Sequence, residues 1–541
     1  MAFKFVAIAL LLTQPITAAL TTGYAAQPPV ELRKLITSTS LIRRDADPET
    51  LYTAYNLSVP IDHFQDKSAY EPHEDGTFPL RYWFDAQYYK DGGPVIVLQS
   101  GETSGIGRLG FLQKGLIHQL ARATNGIAVV LEHRYYGTSW PVSDLSTENL
   151  RFLTTEQALA DQAYFSQHVV FDGLEDKNLT APNAAHIAYG GSYAGAFVAF
   201  LRTQYPEVYW GAIASSGVTE AIYDYWQYYE PIRIYGPPAC VLATQEIVNV
   251  LDTVFMKNNT VLADQIKALF GLEELEYNSD VMNTLSYGIG GWQGRNWDPA
   301  INDPTFSEYC GNITANSTLY NSTLNSTSTV RNLIRIGGWA NETTTLTRAM
   351  LNLVGWVTQS LVAPCADDIN GCYNTHNATF YAQDDLSQTW RSWPYQYCTQ
   401  WGFLQTGSGV PKTILPLISR LIDLPFTETI CREAFNITTP PDVDAINKYG
   451  GYHIAYDRLA IVDGEQDPWR RASPHAPVAG ERASTTERPF LLIQGAVHHW
   501  DENGLFKNET TRDLPPAPVR RTQAREVAFV KAWMKEWRAS R

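Results

Sequence analysis

Positive charge is scarce in this sequence. Lysine and arginine number 41 against 56 aspartates and glutamates, a net charge of −15 with a pI near 5.2. Such a surface repels nucleic acid and anionic membranes, so neither is an expected partner. Long apolar runs are missing as well. After the first residues no segment reaches the roughly 18 uninterrupted apolar residues of a membrane-spanning helix, and the C-terminus carries no lipid-anchor tail. Cysteine is sparse, six residues in 541, and all of them fall between Cys240 and Cys431. No metal-ligand spacing surrounds Glu308, Cys310 or His376, and no internal repeat is visible. A soluble chain without a metal is expected.

What remains is ordinary in bulk, with 44% hydrophobic and 18% charged residues, but rich in aromatics at 15 Trp and 30 Tyr. A length of 541 residues exceeds what one core usually organises, so a second domain or a large insertion is expected. Residues 1–19 read as a secretory signal peptide: Lys4, the apolar run Phe5 to Leu12, then the small-residue site Thr17-Ala18-Ala19. Eleven Asn-x-Ser/Thr sequons agree with export: Asn56, Asn178, Asn258, Asn312, Asn316, Asn321, Asn325, Asn341, Asn377, Asn436 and Asn508. Four of them crowd between Asn312 and Thr327, which suggests a glycosylated surface loop. Cys240, Cys310, Cys365, Cys372, Cys398 and Cys431 form an even set, and pairing between sequence neighbours is the expectation. The expected location is extracellular, with a lysosome or vacuole as the alternative. A monomer or homodimer is expected.

Short apolar runs bounded by turn residues predict buried parallel strands at 94–99, 127–132, 185–189 and 211–215. Helical patterns alternate with them. Thr154 and Gln157 have capping-box spacing, with Leu159, Ala163 and Val170 near one face and Asp161 and Gln167 off it. The alternation stops after about Thr219 and returns at 459–463 and 489–494. The chain closes on an amphipathic helix from Thr522 to about Trp537. This predicts an α/β core with a mostly parallel sheet, first part 45–219 and second part 451–541. A large, mainly helical, disulfide-containing cap at 220–450 interrupts it.

One turn carries chemistry. Gly190-Gly191-Ser192-Tyr193-Ala194-Gly195 lies between a buried strand and a helix. A nucleophile elbow needs small neighbours there, because strand and helix approach closely around a strained serine. The usual Gly-x-Ser-x-Gly is altered only in that Ala194 stands where the second glycine would be. Ser192 is therefore the expected nucleophile of an α/β hydrolase, whose acid and histidine follow it in the chain. Asp467, after the strand ending at Asp463, and His498, after the strand ending at Gln494, fit those places. Asp463 and Glu465 are the rival acids and His499 the rival base. The oxyanion hole is expected from the N–H groups of Tyr193 and of the loop at Gly101. Trp469, Trp500 and Glu102 are candidate substrate contacts: the indoles to wall a proline-sized slot, the carboxylate to meet a substrate amine.

The segments Glu132-His133-Arg134-Tyr135-Tyr136-Gly137, Leu153-Thr154-Thr155-Glu156-Gln157-Ala158-Leu159-Ala160-Asp161, Gly190-Gly191-Ser192-Tyr193 and Asp467-Pro468-Trp469 extend these readings. In that order they resemble the serine peptidase family of lysosomal Pro-X carboxypeptidase and dipeptidyl peptidase II, which includes secreted fungal acid prolyl endopeptidases. The resemblance covers both parts of the core and little of 220–450. It implies the same triad, Ser192, Asp467 and His498, and cleavage of peptides after proline in mild acid without metal or organic cofactor. The chain departs from the family's Gly-Asn-Glu-Gly at Ser100-Gly101-Glu102-Thr103, and around His498-His499-Trp500. Two other functions compete: a lipase or esterase, which shares the elbow but lacks Asp-Pro-Trp, and a non-catalytic binding protein on a hydrolase fold.

Overall fold

The structure, a computed structural model, describes residues 48–541. The signal-peptide reading at 1–19 and the start of the core at 45 lie outside the described residues. An eight-stranded sheet organises the fold, in the order β1-β2-β4-β3-β5-β6-β9-β10. Its centre is parallel: β3 (Val95–Gln99), β4 (Ile127–Leu131), β5 (His186–Gly191), β6 (Tyr209–Ser215), β9 (Leu459–Gly464) and β10 (Phe490–Ile493). These are the six strands read from apolar runs. Every residue of β3 and β4 is buried, as expected of strands covered on both faces.

Two further strands, β1 (Tyr55–Pro60) and β2 (Thr77–Asp85), add an antiparallel hairpin at one edge. They were not anticipated. β2 carries Pro79 and buries only alternate residues at its start, a pattern tolerated at sheet edges but weak as a strand signal.

Helices cover both faces. Ile96 and Leu98 pack with Leu116–Thr124 and the C-terminal helix Ala517–Ala539, while Val97 and Val129 face Phe165 of the helix Thr155–His168. Burying each such aliphatic side chain stabilises by about 1.5–3 kcal/mol. At the start of Thr155–His168, the Thr154 hydroxyl accepts the Gln157 N–H at 3.3 Å. The Gln157 side chain does not complete a capping box; it donates to Asp62 Oδ1 at 2.6 Å and accepts the His63 N–H at 2.9 Å. Asp161, expected off the apolar face, is buried and held by Arg134 at 2.5 and 2.6 Å. Val170, expected on it, lies past the helix end and is exposed.

Between β6 and β9 the chain is mainly helical, including Pro238–Phe255, Thr260–Phe270, Thr327–Ile336 and Thr343–Val357. It contributes two short strands, β7 (Ile222–Asp224) and β8 (Gly402–Leu404), which pair with each other. Three disulfides join sequence neighbours, Cys240–Cys310, Cys365–Cys372 and Cys398–Cys431. The sequon cluster is a loop only in part: Asn312 lies at the end of a helix, Asn316 lies in a loop, and Asn321–Ser326 forms a 3₁₀ turn leading into Thr327–Ile336. Asn316, Asn321 and Asn325 are exposed, while Asn312 is half-buried and donates to Glu308 O. The inserted segment shares a continuous core with the sheet, since Trp401 stacks on Phe200 and meets Tyr193 edge-on.

Candidate active site

β5 delivers the chain to Ser192, and the helix Tyr193–Gln204 begins on the next residue. Ser192 has φ 62° and ψ −127°, a strained conformation that turns its side chain out at the strand end. The neighbours show why they are small. A Cβ on Gly190 would lie 2.2 Å from Ala194 O, and one on Gly195 would lie 2.6 Å from Ser215 O. Gly195 therefore supplies the close approach between helix and β6, and Ala194 is tolerated one residue earlier. The Ser192 N–H donates to Ser215 O at 2.9 Å, tying the turn to the end of β6.

Asp467 and His498 follow β9 and β10. Asp467 caps the short turn Pro468–Ala472, accepting the Trp469 N–H at 2.9 Å. Its carboxylate meets His498 Nδ1, with Oδ2 at 2.9 Å and Oδ1 at 3.1 Å. Both side chains are buried, and His498 Nε2 has no hydrogen-bond partner among the described residues. Burial alone would raise the Asp467 pKa, but the His498 ring and bonds from Ser216 and the Trp469 N–H bring it below the ordinary value. Burial lowers the His498 pKa more than Asp467 raises it, and neighbouring His499 lowers it further. A neutral ring at Nε2, oriented by a carboxylate at Nδ1, can take a proton from a hydroxyl.

The rival residues are engaged elsewhere. Asp463 accepts from Ser473 Oγ at 2.8 Å and meets His475 Nδ1 at 2.7 Å. Glu465 accepts the Gly495 N–H at 2.9 Å. His499 packs behind Gly191, where an added Cβ would lie 3.1 Å from its Cγ. Its Nδ1 is 2.8 Å from Glu502 Oε2, close enough for an ion pair though not aligned as a hydrogen bond.

Tyr193, at the helix start, lies deep. Its hydroxyl meets His133 Nε2 and accepts from Gln396 Nε2, both at 2.9 Å, and Gln396 in turn accepts from Tyr136. Burial pushes His133 down to about 4, so the ring is neutral and serves as a brace. Gly101, expected to give the second oxyanion donor, points its N–H at Gln99 Oε1, 2.7 Å away. That N–H is occupied in this conformation, because the Gln99 side chain folds back on its own loop. Glu102 is half-buried and its charge acts on His498, Tyr136 and Tyr193. Trp469 is only 4% exposed, stacked on Tyr225 and donating to Gln293 at 2.8 Å. Trp500 is half-buried and donates to Arg295 O at 3.0 Å. Among the described residues no group of His, Cys, Asp or Glu is placed to hold a metal ion.

Residues that the sequence did not single out complete the surroundings. Ser216 Oγ accepts the His499 N–H at 2.9 Å, and Ser215 Oγ donates to Asp501 at 2.5 Å. Their signal, Ser-Ser-Gly at a strand end, is too common to be read alone.

A family model described as serine carboxypeptidase S28 matches residues 59–513. A probable extracellular serine carboxypeptidase of Arthroderma benhamiae is 54% identical over 500 residues, 92% of this chain and 70% of that one. Serine protease vicPa of Bipolaris victoriae is 29% identical over 482 residues, 85% of this chain and 86% of its own. The mouse thymus-specific serine protease is 26% identical over 468 residues, 82% of this chain and 81% of its own.

Proposed function

The chain belongs to the serine carboxypeptidase S28 family, and we propose that it is a secreted peptidase that hydrolyses bonds after proline through Ser192, His498 and Asp467. The observation that carries the reading is the buried Asp467–His498 pair with its Nε2 unengaged, following the ends of β9 and β10 in the sheet whose strand β5 ends at the strained Ser192. Ser192 Oγ attacks the scissile carbonyl while His498 Nε2 takes its proton. The tetrahedral oxyanion is met by the Tyr193 N–H, the first N–H of the helix that follows the elbow. His498 then gives its proton to the leaving amine, and water repeats the sequence to release the acyl group.

Proline has no N–H and a fixed φ near −65°, so a pocket for it needs apolar walls and no acceptor. Trp469 and Trp500 are the proposed walls, and Glu102 the proposed contact for a substrate amine. Residues 220–450 act as the cap that limits access, with 45–219 and 451–541 as the core. Secretion is supported by the three disulfides, which persist in oxidising compartments, and by the name of the Arthroderma relative. The test is mass spectrometry of products from matched peptides with Pro or Ala before the cut. Cleavage confined to the proline peptide is expected; equal cleavage of both removes the proline reading and leaves the triad standing.

A further inference from the structure

Behind the candidate triad lies a cluster of acids that the mechanism does not use. Asp501, Glu502 and Glu526 are all buried, with Asp501 and Glu526 fully so. Asp501 sits three residues after His498. Its Oδ1 accepts from Ser215 Oγ at 2.5 Å and its Oδ2 from Tyr189 OH at 2.9 Å. Ser215 is the residue whose carbonyl receives the Ser192 N–H. Asp501 thus links the loop of the histidine to the two strands that frame the serine. From the other side comes the helix Ala517–Ala539. Gln523 donates to Asp501 O at 2.8 Å and to Asn503 O at 2.7 Å. Glu526, one turn on and on the same face, reaches the Asp501 side chain.

Neither oxygen of Glu526 has a hydrogen-bond donor among the described residues. Two bare carboxylates in contact in the interior repel one another and leave their lone pairs unmet. With one proton between them the same contact becomes a short hydrogen bond. The groups around the pair decide where the proton sits. Tyr189 of β5 is held as a neutral hydroxyl by burial and by the neighbouring acids Asp501, Glu502 and Glu526, so it faces the pair only as a donor. The nearby cations are His499, which faces Glu502 and also acts on Asp501, and Arg108, which acts on His499 and Glu502. Among the described residues no cation acts on Glu526 itself, while Asp501 already receives two hydroxyl donors and the field of His499. The charge belongs on Asp501 and the proton on Glu526.

We propose that Glu526 is a positioning residue for the active site: as a neutral acid it donates to Asp501, fixing the loop of His498 against the strand ends at Ser192, and losing that proton loosens the site. Burial and the Asp501 charge raise the Glu526 pKa well above the ordinary carboxyl value, so the proton is kept well beyond mild acid. The consequence is a falling limb that a triad alone does not provide. A serine triad needs its histidine neutral, which favours activity as pH rises; the acid pair opposes it from the alkaline side. The inference rests on the triad reading only in taking the 498–503 loop as catalytic.

Glu526→Gln tests it, since an amide N–H replaces the donated proton at every pH. Thermal stability and kcat are measured from about pH 4 to about pH 8 in the wild type and the variant. The wild type should lose both together on the alkaline side, with KM little changed. In the variant that limb should move up by about one pH unit or more, a tenfold change in relative activity at a fixed pH on it. Superimposable profiles overturn the proposal. Infrared spectroscopy of the full chain gives a second readout that needs no variant to fold. A protonated carboxylic acid C=O band should persist at neutral pH in the wild type, and its absence overturns the proposal. Repeating the stability and infrared measurements in Ser192→Ala separates this outcome from that of the triad, because neither readout needs turnover.

Discussion

At the scale of single residues, the site pairs a half-buried strained serine with a buried, oriented imidazole. Ser192→Ala removes the nucleophile without touching the core, so it should lower kcat by about 10⁴-fold or more with secretion and thermal stability unchanged. Turnover near wild type would remove the assignment. The adjacent histidines should separate by type of effect. His498→Ala should match the serine variant in kcat, because Nε2 has no other engagement. His499→Ala should keep kcat within roughly tenfold of wild type, since its ring packs against Gly191 and its Nδ1 is turned to Glu502 rather than to Asp467. It should instead lower stability by about 3–5 kcal/mol, the cost of leaving buried Glu502 without its partner. Calorimetry alongside kinetics distinguishes the two. This residue pair was only half legible in sequence. The chain order and strand ends pointed to His498, but the partner of His499 lies one turn further along the loop, and only the folded loop reveals it.

At the scale of elements, six strands were readable because parallel strands leave continuous apolar runs, even at β10, whose Leu492 is exposed at the sheet edge. The edge hairpin was not, because Pro79 and half-exposed positions blur its period. Asp161 was misplaced for a related reason: a polar residue reads as solvent-facing unless its buried partner is known, and Arg134 comes from another element. Sequons marked the 312–327 region as surface but carried no information on the 3₁₀ turn at Asn321–Ser326. The disulfides are the elements whose removal is easiest to rank. In the chain-entropy account, stabilisation grows with the loop closed. Cys240–Cys310 spans 70 residues and Cys365–Cys372 only 7, which corresponds to about 4 and about 2 kcal/mol. Cys240→Ala with Cys310→Ala should therefore lower the melting temperature more than the Cys365 and Cys372 pair. Mild reduction should open residues 220–450 to protease before the sheet. Early cleavage within β3 to β6 would contradict that order.

At the scale of the whole molecule, stability should depend on pH from two sides, and the signs follow from which groups folding perturbs. His133 and His186 are both buried and lowered from 6.5 to about 4. The unfolded chain binds their protons first, so stability is lost as pH falls from about 6.5 towards about 4. Each such shift is worth about 3 kcal/mol. Asp467, Asp161 and Glu502 are held below their ordinary values by ion partners that outweigh their burial. Their contribution is present above the unfolded carboxyl range and is lost as pH falls through the folded values, extending the acid limb. Buried Asp280, raised to about 6 by burial, acts in the opposite sense: its contribution is lost as pH rises from its ordinary 3.8 to about 6. Glu526 continues that loss at higher pH. Between about pH 4 and about pH 6.5 the histidine gains and the Asp280 loss offset one another in part; above that range the acid pair and His499, raised by its Glu502 partner, titrate, and both lose stability as pH rises. The molecule should therefore be most stable in mild acid to near neutrality, with a steep acid limb and a shallower alkaline one. Differential scanning fluorimetry from about pH 3 to about pH 8 reads both limbs. Asp280→Asn should steepen the rise of stability between about pH 4 and about pH 6 without altering the alkaline limb. A variant whose curve instead shifts only above neutrality would show that Asp280, not the Asp501–Glu526 pair, sets that limb.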